Sequence, residues 1–261
     1  MTRIYALVNQ KGGVGKTTTA INVAAYLAAS GQRVLLVDLD SQANATSCLG
    51  IDKRTVEGGT YRLIIDKRAK LADNVLHSPR LKLTLLPASP GLAGAEVELV
   101  DLPDRERRLR NALVSSRMYD YILIDCPPSL GLLTLNGLVA AQSVIIPVQC
   151  EYLALEGLGQ LIDTIERVRG AFNTELAIRG MVMTMLDSRA SLGKQVVEEV
   201  RRHFPDKVFD TVIPRNVRLA EAPSHGLPIL AYDPRSSGAH AYLSMAREIL
   251  DGDQVATAAH S

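Results

Sequence analysis

Lys11-Gly12-Gly13-Val14-Gly15-Lys16-Thr17-Thr18 decides how this 261-residue chain reads. The apolar run Ile4 to Val8 stands before it. Behind it, small and apolar residues recur at helical spacing: Ala20, Val23, Ala24, Leu27 and Ala28. A buried strand, a glycine loop and a helix in that order are what a phosphate-binding loop requires. Glycines let successive backbone N–H groups turn toward phosphate oxygens, and the helix adds the positive end of its dipole. In such a loop Gly12, Gly13, Val14, Gly15 and Thr18 surround the phosphates. Lys16 reaches the β- and γ-phosphates, and the Thr17 hydroxyl coordinates Mg²⁺. The general pattern G-x-x-x-x-G-K-[ST] would put glycine at position 10, where this chain has Gln10 followed by Lys11. A lysine opening the loop is poorly placed to fold back onto phosphates that its own loop surrounds. Either it is a solvated surface lysine, or it crosses to the nucleotide of a second subunit, where a desolvated cation offsets charge developing on the phosphates.

Outward from the loop the chain alternates strand and helix. Apolar or β-branched runs predict strands over 34–37, 81–86, 121–124, 144–148, 176–185 and 207–213. Helical periodicity marks 17–29, 97–114 (with Pro103 as a break or restart), 132–141, 155–169, 191–203 and 238–250. This alternation predicts an α/β fold of one domain, a mostly parallel, twisted sheet covered by helices on both faces. The domain is expected to span residues 1–250, with 251–261 a short flexible tail. Residues 51–80 are the least legible part.

Two acidic segments end strands. Asp125 closes an apolar strand and is followed by Pro127-Pro128. A carboxylate at the carboxyl end of a parallel strand faces the ligand crevice of an open α/β sheet, where it holds Mg²⁺ directly or through water. Asp38 and Asp40 close the second strand on the same side, where like charges call for a nearby cation.

Global composition excludes other classes. The net charge of +1 rules out a uniformly basic nucleic-acid coat but not a local patch. Cys48, Cys126 and Cys150 are odd in number and widely spaced, which fits reduced thiols in the cytosol better than a disulfide framework or a zinc site. No apolar run approaches the ~18–20 residues of a membrane helix.

At Lys11 the chain resembles the deviant Walker A ATPases of the ParA/MinD family. Its later motifs resemble the chromosome-partitioning ATPases of the ParA (Soj) type. These are Asp38-Leu39-Asp40-Ser41-Gln42-Ala43-Asn44-Ala45-Thr46, Tyr119-Asp120-Tyr121-Ile122-Leu123-Ile124-Asp125-Cys126-Pro127-Pro128-Ser129, Pro147-Val148-Gln149-Cys150-Glu151, and Ile213-Pro214-Arg215-Asn216-Val217-Arg218-Leu219-Ala220-Glu221-Ala222-Pro223-Ser224-His225-Gly226. In the family the second segment usually reads Asp-Pro-Gln-Gly-Asn; Ser41 and Ala43 replace Pro and Gly here. The resemblance implies a P-loop fold with ATP and Mg²⁺ as cofactors. Lys11, Lys16 and Asp40 would be catalytic, Asp40 positioning the attacking water, with Asp38 in the outer shell of the metal. Pro214 and Asn216 match positions used around the adenine, although both also suit a turn.

The resemblance further implies an ATP-dependent homodimer that binds double-stranded DNA non-specifically. A ParB-like partner would stimulate slow hydrolysis and release the dimer, and the protein would be cytoplasmic and nucleoid-associated. Residues 188–218 carry seven basic against four acidic side chains. This is either a solvated ion-paired face or a phosphate-contact surface, for which Arg201, Arg202, Arg215 and Arg218 are the candidates. Two competing classes share the loop. A MinD-like membrane switch needs an amphipathic basic C-terminal anchor, which Asp251 to Ser261 do not resemble. A metabolic enzyme, such as dethiobiotin synthetase or a nitrogenase-type reductase, is the other; the reductase needs cluster-bridging cysteines that Cys126 and Cys150 do not match.

Overall fold

The computed structural model describes residues 2–114, 116–151 and 154–258. Its strands are β1 (Arg3–Leu7), β2 (Val34–Asp38), β3 (Leu76–Ser78), β4 (Leu83–Leu86), β5 (Tyr121–Asp125), β6 (Ser143–Gln149), β7 (Ala177–Leu186) and β8 (Val208–Pro214). They form one sheet in the order β3-β4-β2-β5-β1-β6-β7-β8. β3 runs antiparallel to β4, and every other neighbouring pair is parallel. The helices are α1 (Lys16–Ala29), α2 (Asn44–Cys48), α3 (Gly59–Ile65), α4 (Leu92–Glu98), α5 (Arg108–Leu113), α6 (Leu132–Ala140), α7 (Ala154–Ala171), α8 (Ser191–His203), α9 (Val217–Glu221), α10 (Ile229–Tyr232) and α11 (Ser237–Ala258).

Central strands of a parallel sheet are buried on both faces and read as unbroken apolar runs. Val-Leu-Leu-Val-Asp in β2 and Tyr-Ile-Leu-Ile-Asp in β5 are buried at every position. Strand alternation divides their side chains between two cores. Ala6, Leu35 and Ile122 enter one with α3 to α8, while Tyr5, Leu36 and Leu123 enter the other with α1 and α11. Asp38 and Asp125 are register partners at the carboxyl ends of β2 and β5, and Leu7 pairs with Asp125 on the other side. The phosphate loop therefore leaves β1 beside both carboxylates, in the crevice where open α/β sheets bind ligands.

Three stretches fill in or correct the sequence reading. Within 97–114 the helix breaks around Pro103, one of the outcomes expected there: α4 already ends at Glu98, a 3-10 turn covers Leu99–Asp101, and α5 starts only at Arg108. Pro103 and the left-handed Asp104 (φ 55°) fill the break. The least legible stretch holds α3, two 3-10 turns and the antiparallel edge strand β3. Gly59 is required there, because its φ is +64° and a Cβ would sit 2.0 Å from the Pro87 carbonyl oxygen.

The third stretch is the tail, which does not begin at 251. α11 continues to Ala258, and Asp253 within it is buried. Asp253 accepts hydrogen bonds from the hydroxyls of Tyr5 (2.7 Å) and Tyr121 (3.0 Å) and from Arg179 Nε (3.2 Å). Its main-chain oxygen accepts from Arg3. The last turns of the helix are thus tied to β1, β5 and β7. Among the described residues no helix is long and apolar enough to cross a membrane.

Candidate functional site

The loop between β1 and α1 has the backbone that its glycines permit. Gly13 (φ 76°) and Gly15 (φ 91°) are left-handed, and Gly15 caps α1. Two contacts from elsewhere hold the loop open. Asn9 Nδ2 donates to the Pro147 carbonyl (2.7 Å) while its Oδ1 accepts from the Lys11 backbone N–H (3.0 Å). The Thr184 hydroxyl, near the end of β7, donates to the Val14 carbonyl (2.8 Å). Lys16 is buried, and its Nζ donates to the Lys11 carbonyl (3.2 Å) inside the loop. Burial pushes the Lys16 ammonium below its ordinary pKa, while Asp125 works in the opposite direction.

Asp125 is fully buried, and neither carboxylate oxygen has a hydrogen-bond partner among the described residues. Burial raises its pKa well above the usual range, and the charge of Asp38 adds to this. The Thr17 hydroxyl and Lys16 act the other way. An orphaned buried carboxylate is the mark of a group awaiting a partner. Asp125 with Thr17 is a donor set that fits Mg²⁺, which prefers one or two protein oxygens, nucleotide phosphates and water to an all-protein cage. Accordingly, no group of three or more metal-ligating side chains occurs among the described residues.

Asp38 is fully engaged. It accepts from the Thr46 N–H (2.8 Å), the Thr46 hydroxyl (2.7 Å) and the Asp40 N–H (3.2 Å). Its pKa is pushed up to about 6 by burial, against the pull of these bonds. Its geometry is that of a carboxylate holding the loop that carries Asp40. In that loop Asp40 Oδ1 accepts from the Gln42 N–H (2.9 Å), and Oδ2 makes no hydrogen bond among the described residues. Ala43 sits at φ 50°, ψ 43°. The position where the family has glycine keeps its left-handed backbone here despite a Cβ.

Lys11 does not fold into its own loop. Its half-exposed ammonium lies 3.1 Å from Glu151 Oε2, just past β6. Glu151 Oε1 accepts from Gln149 Nε2 (2.6 Å) and lies 4.0 Å from Arg215. Topology thus brings Lys11, Lys16, Thr17, Asp38, Asp40, Asp125 and Arg215 to one edge of the sheet. Pro214 ends β8, and Asn216 caps α9 by accepting from the Arg218 N–H (2.8 Å) and donating to Ser237 (2.7 Å). Arg218 pairs with Glu221 (2.8 Å) and Asp233 (3.5 Å). Arg201 donates to the Asp210 carbonyl (3.0 Å), and Arg202 is exposed.

Sequence reasoning assigned no role to Asn9, Thr184 or Glu151. Thr184 carries the one signal that was available, a polar residue inside the apolar Met181–Leu186 run.

A family model described as an AAA domain matches residues 2–178. The sporulation initiation inhibitor protein Soj of Bacillus subtilis is 57% identical over 250 residues, covering 95% of this chain and 98% of that one. The chromosome partitioning protein ParA of Myxococcus xanthus is 54% identical over 253 residues, covering 96% and 89%. Among solved structures, a Mycobacterium smegmatis protein named cobyrinic acid a,c-diamide synthase, with bound ATP analog and magnesium, superposes with a TM-score of 0.85 at 38% identity, covering 96% and 95%. The septum site-determining protein MinD of Pyrococcus horikoshii, complexed with Mg-ADP, gives 0.75 at 27% identity, covering 95% and 96%. With glycine loop, strand-end carboxylates and sheet order in place, and with relatives matching nearly end to end, the chain belongs to the ParA/Soj family of chromosome-partitioning ATPases.

Proposed function

We propose that the protein is a Mg²⁺-dependent ATPase whose ATP-bound homodimer binds double-stranded DNA non-specifically and partitions a chromosome or plasmid. The observation carrying this reading is Lys11, which stands at the rim of the loop paired with Glu151 rather than inside its own cradle. That position suits a cation delivered to the phosphates of a second subunit. In the nucleotide complex Lys16 exchanges the Lys11 carbonyl for phosphate oxygens. Gly12, Gly13, Val14, Gly15 and Thr18 wrap those oxygens with backbone N–H groups. Thr17 and Asp125 hold Mg²⁺, which would neutralise phosphate charge when bound. Asp38 fixes the Asp40 loop from the metal's outer shell, and Asp40 orients the attacking water through its open Oδ2. Phosphoryl transfer asks for alignment and charge stabilisation more than covalent chemistry, so this set suffices.

Pro214 and Asn216 border the adenine in this reading, and Arg201, Arg202, Arg215 and Arg218 form the DNA face. Arg218 must then exchange Glu221 and Asp233 for a phosphate. Hydrolysis is slow until a ParB-like partner engages, and the protein is cytoplasmic and nucleoid-bound. The name of the 38%-identical structure raises diamide synthesis as a second activity. Burial pushes the thiols of Cys48 and Cys150 up to about 11, and that of Cys126 further, which favours packing thiols over nucleophiles.

Sedimentation velocity with and without ATP and duplex DNA tests the proposal. The wild type is expected to dimerise with ATP and co-sediment with unrelated duplexes. Lys16→Ala is expected to lose nucleotide binding, Lys11→Ala to bind ATP but stay monomeric, and Asp40→Ala to dimerise without hydrolysing. A Lys11→Ala protein that dimerises normally would remove the trans role.

A further inference from the structure

Five arginines crowd residues 105–117 against one carboxylate, Glu106. Two are committed. Arg108 is buried and donates to the Ile64 (2.7 Å) and Ile65 carbonyls, while Arg105 pairs with Glu106. Arg107, Arg110 and Arg117 are exposed, and their guanidinium groups make no ion pair among the described residues. Val114 (68% exposed) and Met118 (62%) stand among them. Arg107 immediately precedes α5 and Arg110 lies within it; the helix ends at Leu113, and Arg117 and Met118 follow in a turn.

Arg110, Val114 and Arg117 line a cleft of about 780 Å³ together with Arg33, Gln142 and Glu175 among others, and Met118 is the exposed chain neighbour of Arg117. A smaller hollow of about 290 Å³ adjoins it through Arg110, Asn173 and Glu175 and adds Arg107. Of the two carboxylates in this lining, Asp120 is already gripped by Arg33 at 2.7 and 3.0 Å, and Glu175 faces the remaining arginines alone. The groove lies where β1, β2, β5 and β6 begin, since Ile4, Arg33, Asp120 and Gln142 border it. The phosphate loop lies at the opposite end of β1.

We propose that this groove docks an acidic peptide segment with apolar anchors, supplied by another protein. Charge selects an anionic occupant, and two features select a peptide over duplex DNA. Phosphate-backbone contact uses cations and polar donors, and it gains nothing from exposed valine and methionine. A concave groove with mixed apolar and cationic lining suits a side-chain-bearing segment, whereas a duplex presents a broad convex surface. The groove and the phosphate loop lie at opposite ends of β1, so a peptide held here shares no contact residue with the nucleotide loop.

Fluorescence anisotropy with three labelled probes tests this: a Glu/Leu peptide, an all-Glu peptide of equal charge, and a 24-base-pair duplex. The Glu/Leu peptide is expected to bind the wild type more tightly than the all-Glu peptide, equally with and without ATP. Arg110→Glu/Arg117→Glu should weaken it at least tenfold while duplex binding and basal ATPase stay within twofold. Val114→Ser/Met118→Ser should erase the preference for leucine. The exposed sites tolerate these changes, and a matching thermal melt of Arg110→Gln/Arg117→Gln confirms folding. Failure of the wild type to bind the Glu/Leu peptide, unchanged binding in the Glu variant, or duplex binding that falls in step with it would each overturn the proposal.

Discussion

Asp125 and Ala43 each carry a cost at the single-residue scale. Among the described residues neither oxygen of the buried Asp125 carboxylate has a hydrogen-bond partner, so the nucleotide-free protein is destabilised by the group that nucleotide binding needs. Asp125→Asn is expected to stabilise the nucleotide-free protein against unfolding, since burial works against the charged carboxylate. Calorimetry should also show that it weakens Mg-nucleotide binding; an apoprotein no more stable than wild type would mean the carboxylate costs nothing. Ala43 holds a left-handed backbone that costs an L-residue about 1–2 kcal/mol. Ala43→Gly removes that strain and adds unfolded-state entropy, so its melting temperature is expected to match or exceed wild type. A clear loss of stability would contradict the strain. The phosphate loop was legible at this scale because its chemistry is contiguous. Thr184 and Glu151 were not, because each reaches the loop only through strand order.

α11 makes its main statement at the scale of an element. Its acidic end reads as tail because Asp251, Gly252 and Asp253 look solvated in sequence, yet Asp253 receives two tyrosines and an arginine. Removing one member of a buried charged cluster costs about 3–5 kcal/mol. Asp253→Ala is expected to lower the melting temperature by about 10 °C, at roughly 2–4 °C per kcal/mol for a chain of this size. The cluster also sets an alkaline limit. Burial first, and then the charge of Asp253, raise the Tyr5 and Tyr121 hydroxyls above the ordinary value of 10.0. The folded state keeps these protons after the unfolded chain releases them. The stability they confer is therefore complete below pH 10 and declines as pH rises beyond it. Denaturant titrations across that range should show a decline that Tyr5→Phe/Tyr121→Phe flattens. Strands and long helices were readable from periodicity. The break in 97–114 was marked by Pro103, but its bounds were not readable, because charged residues mask where the apolar face stops.

For the molecule as a whole, the net charge of +1 conceals two basic surfaces. The proposed DNA face involves Arg201, Arg202, Arg215 and Arg218, and the arginine groove begins at the other end of the sheet. They are expected to differ in salt response. Duplex affinity should fall steeply and linearly on a log–log plot, with a slope near −0.9 per phosphate contacted. Charge reversal at Arg218 should shrink that slope equally on unrelated sequences. A strong preference for one sequence would contradict contact through the backbone alone. The α/β class was readable because alternating patterns repeat along the whole chain, whereas the edge strand β3 has too few residues to show a period.

The cluster around Asp253 also bears on the order in which the chain acquires its shape. Tyr5 waits for a partner 248 residues downstream, so a chain emerging from synthesis completes its first strand long before that strand's hydroxyl is satisfied. Closure of the sheet's inner end is thereby deferred until the last helix arrives, and the N-terminal half spends its early life without its final clasp.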